Sequence, residues 1–393
     1  MRDIILIGSA RTPIGTMGGV FANTGAVQLG AAAASATIER AGATPEQVQE
    51  VIFGNVLQAG QGQNPARQVA IHSGVPLEVP SFSVNKVCGS GMKAIDLAWQ
   101  SVLLERADCI LAGGTENMTL CPYYLPAMRA GARMGNVQAI DGMVHDGLWD
   151  IFNDFHMGIT AENVVEQYGL TREEQDQFAI ASQEKCGAAM NAGRFNDEIV
   201  PITVKQRKGE TVVDTDEHPK PGSTLEKIAG LRPAFKKDGS VTAANASGIN
   251  DGAASVLVVG EDAAKSFDTS SAVYLRDVRS CGCDPRTMGL GPIGPVRLLL
   301  EKNGLTKDDI DLFELNEAFA AQSLAVIRDL GLDMANINVN GGAIALGHPI
   351  GCSGARILTT LIHELKKRGG RYGIAAMCIG GGMGIGCLVE NKQ

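Results

Sequence analysis

The distribution of apolar residues predicts a strand, a tight turn and a helix over residues 81–103. The segment "SFSVNKV" alternates apolar and polar positions and contains β-branched residues, as strands do. After the turn, apolar side chains recur at helical spacing on one face, at Met92, Ile95, Trp99, Val102 and Leu103. Cys88 lies in the turn "VCGSG" between the two elements. Because free N–H groups and the positive end of the helix dipole lie there, we expect a thiolate to be favoured. The alternative is a buried cysteine that acts as a small hydrophobic residue.

Three segments near the N-terminus have counterparts, in the same order, near the C-terminus. "VIFGNVLQAG", which contains Asn55, matches "DLFELNEAFA", which contains Asn316. "CGSGMKAI" matches "GCSGARIL", and "CILAGGTENM" matches "AAMCIGGGMG". Each match is weak, but three in one order predict a duplicated α/β unit. We expect two pseudo-twofold halves, with the helices of the repeated turns meeting at the centre.

The composition changes between these repeats, over residues 120–248. The stretch is richer in charge and proline, as in "DTDEHPKPGST", and it contains a helix whose start resembles a capping box, Thr171 with Glu174. We interpret it as an insertion into the first half that carries binding surfaces. The predicted division is an N-terminal half over 1–119 and 249–270, an inserted loop domain over 120–248, and a C-terminal half over 271–393.

Composition narrows the class of protein. The 393 residues, 45% hydrophobic and 20% charged, predict two or three globular domains. The net charge of −9 argues against a nucleic-acid surface, and no apolar run is long enough to span a membrane. Nine cysteines without paired spacing indicate reduced thiols, and the opening "DIILIGSA" has no leader pattern, so we expect a cytoplasmic protein. Cys281 and Cys283 lack a second ligand cluster, so we expect no metal.

Four glycine-bracketed loops carry the candidate chemistry. They contain Cys88 in "CGSG", Asn316 in "NEAF", His348 in "GGAIALGHPIG" and Cys378 in "CIGGGMG". Each follows a strand or begins a helix, where ligand sites of α/β sheets gather. Taken singly, the histidine is also consistent with a turn residue, and Cys378 with a strand residue beside a bulge. The "GGGMG" segment is not followed by the helix that a nucleotide-binding unit requires.

Together, these motifs resemble the thiolases. The resemblance extends from "ARTPIG" to "CIGGGMG" and includes "FHMGITAEN" and "NASGINDGAA" in the insertion. It implies an α/β fold in which duplicated halves form a layered αβαβα arrangement with an inserted loop domain. It also implies an acyltransferase that joins two acetyl-CoA to give acetoacetyl-CoA and CoA through an acetyl-cysteine, with the "HMG" segment typical of the short-chain biosynthetic type. CoA is then substrate and product, no cofactor is needed, and a homotetramer is expected.

The resemblance implies a role for each loop. Cys88 is the nucleophile, His348 takes its proton, and Cys378 removes a proton from the α-carbon of the second thioester. A thiolate suits this chemistry because thioester exchange is nearly balanced in energy. One oxyanion hole would use His348 with a water held by Asn316, and the other would use the N–H groups of Cys88 and Gly380.

The resemblance also implies the contacts of CoA. The pantetheine arm would lie against His156, Met157, Ala243, Ser247, Ala318 and Phe319, the adenine against Leu231 and Phe235, the phosphates near Lys220 and Ser223, and the acyl group between Met157 and Met288. Lys220 stands where an arginine is frequent, so a point charge replaces a bidentate fork. Arg129 and Arg133 are either a patch for the 3′-phosphate or ordinary loop residues.

Other interpretations remain open. A degradative 3-ketoacyl-CoA thiolase would use the same residues with a deeper pocket. A ketoacyl-carrier-protein synthase uses two histidines beside its cysteine, and the "NEAF" and "CIGGG" loops argue against it. Retention of all four candidate groups argues against a non-catalytic CoA- or lipid-binding member. Because Cys88 and Cys378 would both approach one two-carbon unit, we also expect a reversible disulfide between them under mild oxidation.

Overall fold

A computed structural model describes residues 2–206 and 209–392. Its strands are β1 Ile4–Arg11, β2 Gly15–Thr16, β3 Glu50–Gly54, β4 Ser81–Val84, β5 Cys109–Asn117, β6 Tyr123–Tyr124, β7 Ile140–Asp141, β8 Trp149–Asp150, β9 Phe155–His156, β10 Ile202–Gln206, β11 Gly209–Val213, β12 Asn250–Gly260, β13 Val273–Gly282, β14 Leu312–Leu315, β15 Tyr372–Ile379 and β16 Met383–Glu390. Its helices are α1 Ala26–Arg40, α2 Pro65–His72, α3 Ser90–Leu103, α4 Met157–Tyr168, α5 Arg172–Asn191, α6 Leu225–Ala229, α7 Glu261–Ala264, α8 Ile293–Asn303, α9 Ala320–Leu330, α10 Ala343–Leu346 and α11 Ile350–Arg368. Within the described residues, none of these helices combines the length and apolarity needed to cross a bilayer.

The predicted strand, turn and helix around Cys88 are confirmed as β4, a tight turn and α3. Met92, Ile95 and Val102 on the apolar face of α3 are fully buried, whereas Trp99 is partly buried. The capping box is also confirmed, since the Thr171 side chain accepts a hydrogen bond from the N–H of Glu174 at the start of α5.

The strands of the two halves form one continuous hydrogen-bonded path in the order β14-β15-β16-β13-β1-β12-β5-β3-β4. Only two residue pairs join β1 to β13, Ile5 with Tyr274 and Leu6 with Val273. Helices α1 and α2 pack on the outer face of β1, β12, β5 and β3, while α8 and α9 pack on the outer face of β14–β16. Helices α3 and α11 share one core with strands of both halves. The layers therefore run αβαβα, as expected.

The two central helices meet at glycines of the repeated turns. A Cβ placed on Gly91 of α3 would lie 2.9 Å from the backbone N of Ala355 in α11. A Cβ on Gly354 of α11 would lie 2.5 Å from the backbone N of Met92. Such approaches are too close for any side chain, so the glycines set the distance between the helices. The predicted central meeting of the repeated helices is confirmed.

A buried ion network anchors the segment between β5 and β12 to the sheet. Arg11 of β1, which is fully buried, donates to Glu198 at 2.6 Å and to both carboxylate oxygens of Asp216 at 2.7 and 2.9 Å. A buried arginine is tolerated when such partners satisfy it, and removing one of them costs about 3–5 kcal/mol. The network holds the "DTDEHPKPGST" segment over the ends of β1 and β12.

Candidate active site

A cavity of about 510 Å³ lies between the central helices and the segment that connects β5 to β12. Cys88 and His348 both line it. The expected site residues that line this cavity are Cys88, His156, Met157, Lys220, Phe235, Ala243, Ser247, Met288, Ala318, Phe319 and His348. Residues from the three predicted segments are therefore brought to one place.

The turn that carries Cys88 is held by the first residue of α3. The Ser90 hydroxyl donates to the carbonyl of Val87 at 2.6 Å and accepts from the N–H of Lys86 at 2.8 Å. Val87 has a φ of 47°, a left-handed conformation that costs energy for a β-branched residue. The turn is thus fixed by Ser90 in a strained shape that presents Cys88 to the cavity.

The expectation of a favoured thiolate at Cys88 is wrong for this state of the protein. Burial raises the pKa of the Cys88 thiol to about 11, although the backbone N–H of Gly380 faces the sulfur and acts in the opposite direction. Helix α3 begins two residues after Cys88, and loss of solvent outweighs its dipole. The resting group is therefore a thiol that needs a base.

His348 lines the same cavity and is the candidate for that base. Its Nδ1 lies 2.6 Å from the hydroxyl of Ser353, which itself donates to the carbonyl of Pro349 at 2.9 Å. Nδ1 therefore carries the hydrogen, and Nε2 keeps its lone pair. Burial lowers the pKa of His348 to about 3, so the ring is neutral. Ser353 was not predicted as a site residue; its place in the repeated "CSGAR" segment was the available signal.

Asn316 contacts the other side of the imidazole. Its Nδ2 lies 3.4 Å from Nε2 of His348, and its backbone N–H donates to the carbonyl of Ala376 at 3.0 Å. The side-chain Oδ1 is buried and has no hydrogen-bond partner within the described part of the chain. A buried amide oxygen of this kind is suited to bind a donor from water or substrate.

Cys378 lies at the end of β15 and is fully buried. It shares an apolar cluster with expected acyl-pocket and pantetheine residues, Met157, Met288, Ala318 and Phe319. Burial raises its pKa well above the ordinary value, and the neighbouring Cys88 sulfur adds to that effect. All nine cysteines are free thiols. Cys378 is thus a second buried, uncharged thiol close to Cys88.

Aromatic rings wall the channel that leads to these groups. His156 stacks on Phe235 with ring centroids 4.7 Å apart, and Phe319 meets Phe235 edge-on at 6.2 Å. The His156 Nδ1 accepts from the N–H of Gly158 at 3.0 Å. A Cβ on Gly158 would lie 2.2 Å from the Phe235 ring, so only glycine fits there. These rings therefore form a closely packed aromatic wall of the cavity.

The expected contacts of the nucleotide are only partly brought together. Lys220 lines the cavity, and Ser223 donates its hydroxyl to the Lys220 carbonyl at 2.8 Å without lining the cavity itself. Leu231 is 40% exposed and lies off the lining. Arg129 lines a separate surface recess, and Arg133 is exposed in the same loop.

His218 is a cavity residue that the sequence patterns did not predict. Its ring lines the cavity beside the backbone of Gly248, and burial lowers its pKa to about 4. It precedes Lys220 by two residues in "DEHPKPGST", which was the available signal. Among the described residues, no group of three or more His, Cys, Asp or Glu side chains is placed to hold a metal ion.

Comparison with known proteins defines the class. The thiolase N-terminal domain model matches residues 4–262, and the thiolase C-terminal domain model matches residues 269–391. The chain belongs to the thiolase family and is an acyltransferase of that family. It is 52% identical to the acetyl-CoA acetyltransferase of Cupriavidus necator over the full length of both chains. It is 56% identical to that of Syntrophomonas wolfei, with 99% of each chain covered.

Solved structures give the same class. The Bacillus anthracis acetyl-CoA acetyltransferase matches with a TM-score of 0.96 at 44% identity, covering 99% of each chain. Human mitochondrial 3-ketoacyl-CoA thiolase in complex with CoA matches with a TM-score of 0.96 at 42% identity, covering 100% of this chain and 98% of the other. These matches confirm the family resemblance and the fold. The domain boundaries and the roles of individual residues stay predictions.

Proposed function

We propose that this thiolase is an acetyl-CoA C-acetyltransferase, which condenses two acetyl-CoA to acetoacetyl-CoA and CoA, reversibly. The proposal is based on the proximity of four groups. They are the thiols of Cys88 and Cys378, the neutral imidazole of His348 and the buried amide of Asn316. Relatives named acetyl-CoA acetyltransferase at 52% and 56% identity support the choice of substrate. CoA is substrate and product, and the chemistry requires no cofactor.

Acylation begins with the Cys88 thiol. Nε2 of His348 takes the proton, because Nδ1 already carries the hydrogen that Ser353 accepts. The Cys88 sulfur then attacks the thioester carbonyl of acetyl-CoA, a new C–S bond forms, and the bond to the CoA sulfur breaks. The departing CoA thiolate takes the proton of Cys378, which leaves a Cys378 thiolate and an imidazolium at His348. The charges of this pair offset each other in a buried site.

Condensation uses the charges that acylation leaves. The Cys378 thiolate removes a proton from the methyl group of a second acetyl-CoA, and the resulting enolate attacks the acetyl carbonyl on Cys88. The bond between the acetyl group and Cys88 breaks, and the Cys88 sulfur recovers its proton from His348. Both thiols and the neutral imidazole are restored, so the cycle balances. Raised thiol pKa values suit this scheme, since each thiol rests protonated.

Negative charge develops on a thioester oxygen in each half-reaction. The N–H of Gly380 already faces the Cys88 sulfur, which supports the pairing of the Cys88 and Gly380 N–H groups as one oxyanion hole. The contact of Asn316 with Nε2 of His348 supports the second hole. Donors that are fixed before the reaction are usually the largest catalytic contribution.

The channel fits the thin pantetheine arm. Its aromatic wall of His156, Phe235 and Phe319 offers apolar contact, and Ala243 and Ser247 line the same cavity. Among the residues expected to bind the phosphates of CoA, Lys220 is the cation that lines the cavity, and Ser223 lies beside it. Leu231, exposed beyond the cavity, is free to contact the adenine.

The direct test is turnover together with intact mass. Purified protein mixed with acetoacetyl-CoA and CoA should form acetyl-CoA, and protein mixed with acetyl-CoA alone should gain one acetyl group per chain. Peptide mapping should locate that group on Cys88. Absence of both turnover and acetylation would contradict the proposal.

A degradative 3-ketoacyl-CoA thiolase is the second candidate, because the human mitochondrial enzyme of that name matches with a TM-score of 0.96. Both candidates use the same chemistry and differ in acyl length. Thiolysis rates with acetoacetyl-CoA and 3-ketohexanoyl-CoA distinguish them, and we expect a clear preference for acetoacetyl-CoA.

We also propose a cytoplasmic homotetramer. The loop that follows β5 exposes large apolar side chains, Leu120, Tyr123, Leu125, Met128, Met134 and Val137, and Met134 is 98% exposed. An apolar loop of this size is typical of a contact between subunits. Light scattering should give the mass of four chains at micromolar concentration, and a stable monomer would contradict the proposal. Cell fractionation tests the compartment.

A further inference from the structure

Arg356 of α11 is a buried charged side chain that the proposed chemistry does not involve. The residue is 1% exposed, and its Nε, Nη1 and Nη2 atoms have no hydrogen-bond partner within residues 2–206 and 209–392. Oε2 of Glu314 on β14 is also unpartnered there, and it lies 3.6 Å from Nη1 of Arg356. Because this distance exceeds that of a hydrogen bond, the two groups attract each other without bonding.

A second buried arginine shows how closely such a charge can be neutralised. Arg11 donates to Glu198 at 2.6 Å and to both carboxylate oxygens of Asp216 at 2.7 and 2.9 Å. A buried charge without such bonds lowers stability, and folded proteins break this rule most often at functional sites. The positive charge of Arg356 is therefore compensated much less than that of Arg11.

Arg356 is adjacent to the groups that hold His348. Ser353, whose hydroxyl lies 2.6 Å from Nδ1 of His348, precedes Arg356 by three residues, so their side chains share one face of α11. Asn316, whose Nδ2 lies 3.4 Å from Nε2 of His348, follows Glu314 by two residues and extends the pairing of β14 with β15. Residues two apart lie on one face of a strand. The Arg356–Glu314 pair is thus adjacent, on both elements, to the two groups that contact the imidazole.

The carboxylates around Glu314 leave it as the direct counter-charge of Arg356. They are Glu198, Glu317 and Glu364. Each of the three is bonded elsewhere, to Arg11, Ser182 and Arg194 respectively. Burial raises the pKa of Glu314, and Arg356 opposes this only in part. Because a protonated carboxyl carries no charge, Glu314 cancels the field of Arg356 incompletely.

The field of Arg356 extends to the imidazole. Loss of solvent lowers the pKa of His348 to about 3, and the Arg356 guanidinium acts in the same direction. A fixed positive charge raises the energy of an imidazolium and has little effect on a neutral ring. The other titratable groups that line the cavity with His348 are Cys88, His156, His218 and Lys220.

We propose that Arg356 is a positioning residue whose buried charge disfavours the imidazolium form of His348 and so drives the return of the proton to Cys88. The proposal rests on the proposed function. Acylation moves the Cys88 proton to Nε2 of His348, against the field of Arg356. When the bond between the acetyl group and Cys88 breaks, the same field favours transfer of that proton back to the sulfur.

The experiment compares Arg356→Met, Arg356→Lys and the unmodified protein, without CoA. It measures alkylation of Cys88 by iodoacetamide at pH 7, with peptide mapping. The Cys88 thiolate displaces iodide and forms a C–S bond, while its proton moves to His348. Raising the pKa of His348 by one unit makes this thiolate–imidazolium pair ten-fold more populated. We therefore expect about ten-fold faster alkylation in Arg356→Met, and a rate within about three-fold of the unmodified protein in Arg356→Lys, which keeps the charge.

The buried thiols of Cys109 and Cys387 serve as controls in the same digests. Their rates should not change, whereas a loosened fold would expose all three thiols. Equal Cys88 rates in Arg356→Met and the unmodified protein would overturn the proposal. A lysine variant that reacts like the methionine variant, or a parallel gain at the control thiols, would also overturn it.

A second variant covers the case in which Arg356→Met leaves Glu314 without its partner and does not fold. Arg356→Met combined with Glu314→Gln removes both charges, and the same direction of change is expected. Turnover of acetoacetyl-CoA by the unmodified protein is measured separately. Its absence contradicts the proposed function, whereas its presence with unchanged Cys88 reactivity in the variants contradicts only the role of Arg356.

Discussion

The two repeated turns of the chain use the same serine for different purposes. In the N-terminal turn, Ser90 bonds Lys86 and Val87 and thereby fixes the backbone that presents Cys88. In the C-terminal turn, Ser353 bonds Nδ1 of His348 and thereby fixes which nitrogen is free. One hydroxyl sets a conformation, and its counterpart sets a protonation site.

The repeated asparagine loops differ in the same way. Asn55 donates to Glu116 at 2.9 Å, and that carboxylate also accepts from the N–H of Gly351 at the start of α11. Its counterpart Asn316 contacts Nε2 of His348 instead. In the first half the space beside the asparagine is filled by a carboxylate that joins two elements. In the second half an imidazole lies beside the asparagine instead and lines the cavity. Duplication therefore supplied one scaffold, and the candidate chemistry depends on which side chain fills each copy.

The comparison is tested most severely by the cysteines of the two turns. Cys88→Ala should lower turnover by at least on the order of 10⁴-fold, because no other group can carry the acetyl. Cys352→Ala, in the other turn, should retain turnover within about three-fold while losing about 1–2 kcal/mol of stability from its buried position. Steady-state thiolysis and thermal unfolding measure the two effects. Substantial turnover in Cys88→Ala would contradict the assignment.

Removal of Cys378 should separate the two half-reactions. In Cys378→Ala, acetylation of Cys88 should continue at a reduced rate, while exchange of the acetyl-CoA methyl hydrogens with deuterium oxide should fall by about 10²–10⁴-fold. Mass spectrometry follows both processes. Cys387→Ala on the adjacent strand β16 is the control, since Cys387 is equally buried. Undiminished exchange in Cys378→Ala would show that another group is the base.

Removal of Ser353 should mainly lower kcat, whereas removal of Ser90 should mainly lower the free energy of unfolding. Ser353→Ala should lower kcat by about 10²-fold and shift the pH profile, because the His348 ring is no longer held in one tautomer. Ser90→Ala should instead cost about 1–3 kcal/mol of unfolding free energy, since the Lys86 N–H loses its acceptor. Ser353→Thr, which keeps the hydroxyl, should restore most of kcat. Equal stability losses with equal kcat in the two alanine variants would remove the distinction.

Part of the fold and of the candidate site could be predicted from the sequence. The repeats indicated a central pair of helices, because the apolar face of α3 and the Ser-Gly pairs are local patterns. The resemblance indicated the four candidate groups. The predicted direction of the Cys88 pKa shift was wrong, because the burial of Cys88 depends on α11 and β15, which lie hundreds of residues away in the chain. His218 was missed because the groups around it, such as Gly248, approach it only once the chain is folded. Ser353 bonds His348 and Pro349, which lie five and four residues away, so its role depends on local contacts that the repeated segment already indicated.

The smallest expected effect concerns the carboxylate of the first half. Burial raises the pKa of Glu116 to about 7, with N–H donors from Val56, Leu57 and Gly351 acting in the opposite direction. A folded pKa above the ordinary 4.5 means that the folded chain holds this proton more tightly. The resulting stability is complete below pH 4.5 and is lost as the pH rises to about 7.

Urea unfolding of the unmodified protein and of Glu116→Gln, at several values between pH 4.5 and 8, isolates this contribution. The free energy of unfolding of the unmodified protein, relative to the variant, should decrease by roughly 3 kcal/mol across that range. The test uses the slope of the stability difference against pH. The absolute difference is not informative, because the glutamine introduces two donors where four N–H groups already donate and is therefore unfavourable at every pH. A slope of opposite sign would mean that the donors outweigh burial and that Glu116 is ionised. The two halves would then differ in charge as well as in side chain: a carboxylate beside Asn55 and a neutral imidazole beside Asn316. The predicted slope means instead that an uncharged titratable group lies beside each of the two asparagines near pH 6. Of the two groups, His348 lines the cavity and is the one placed for proton transfer.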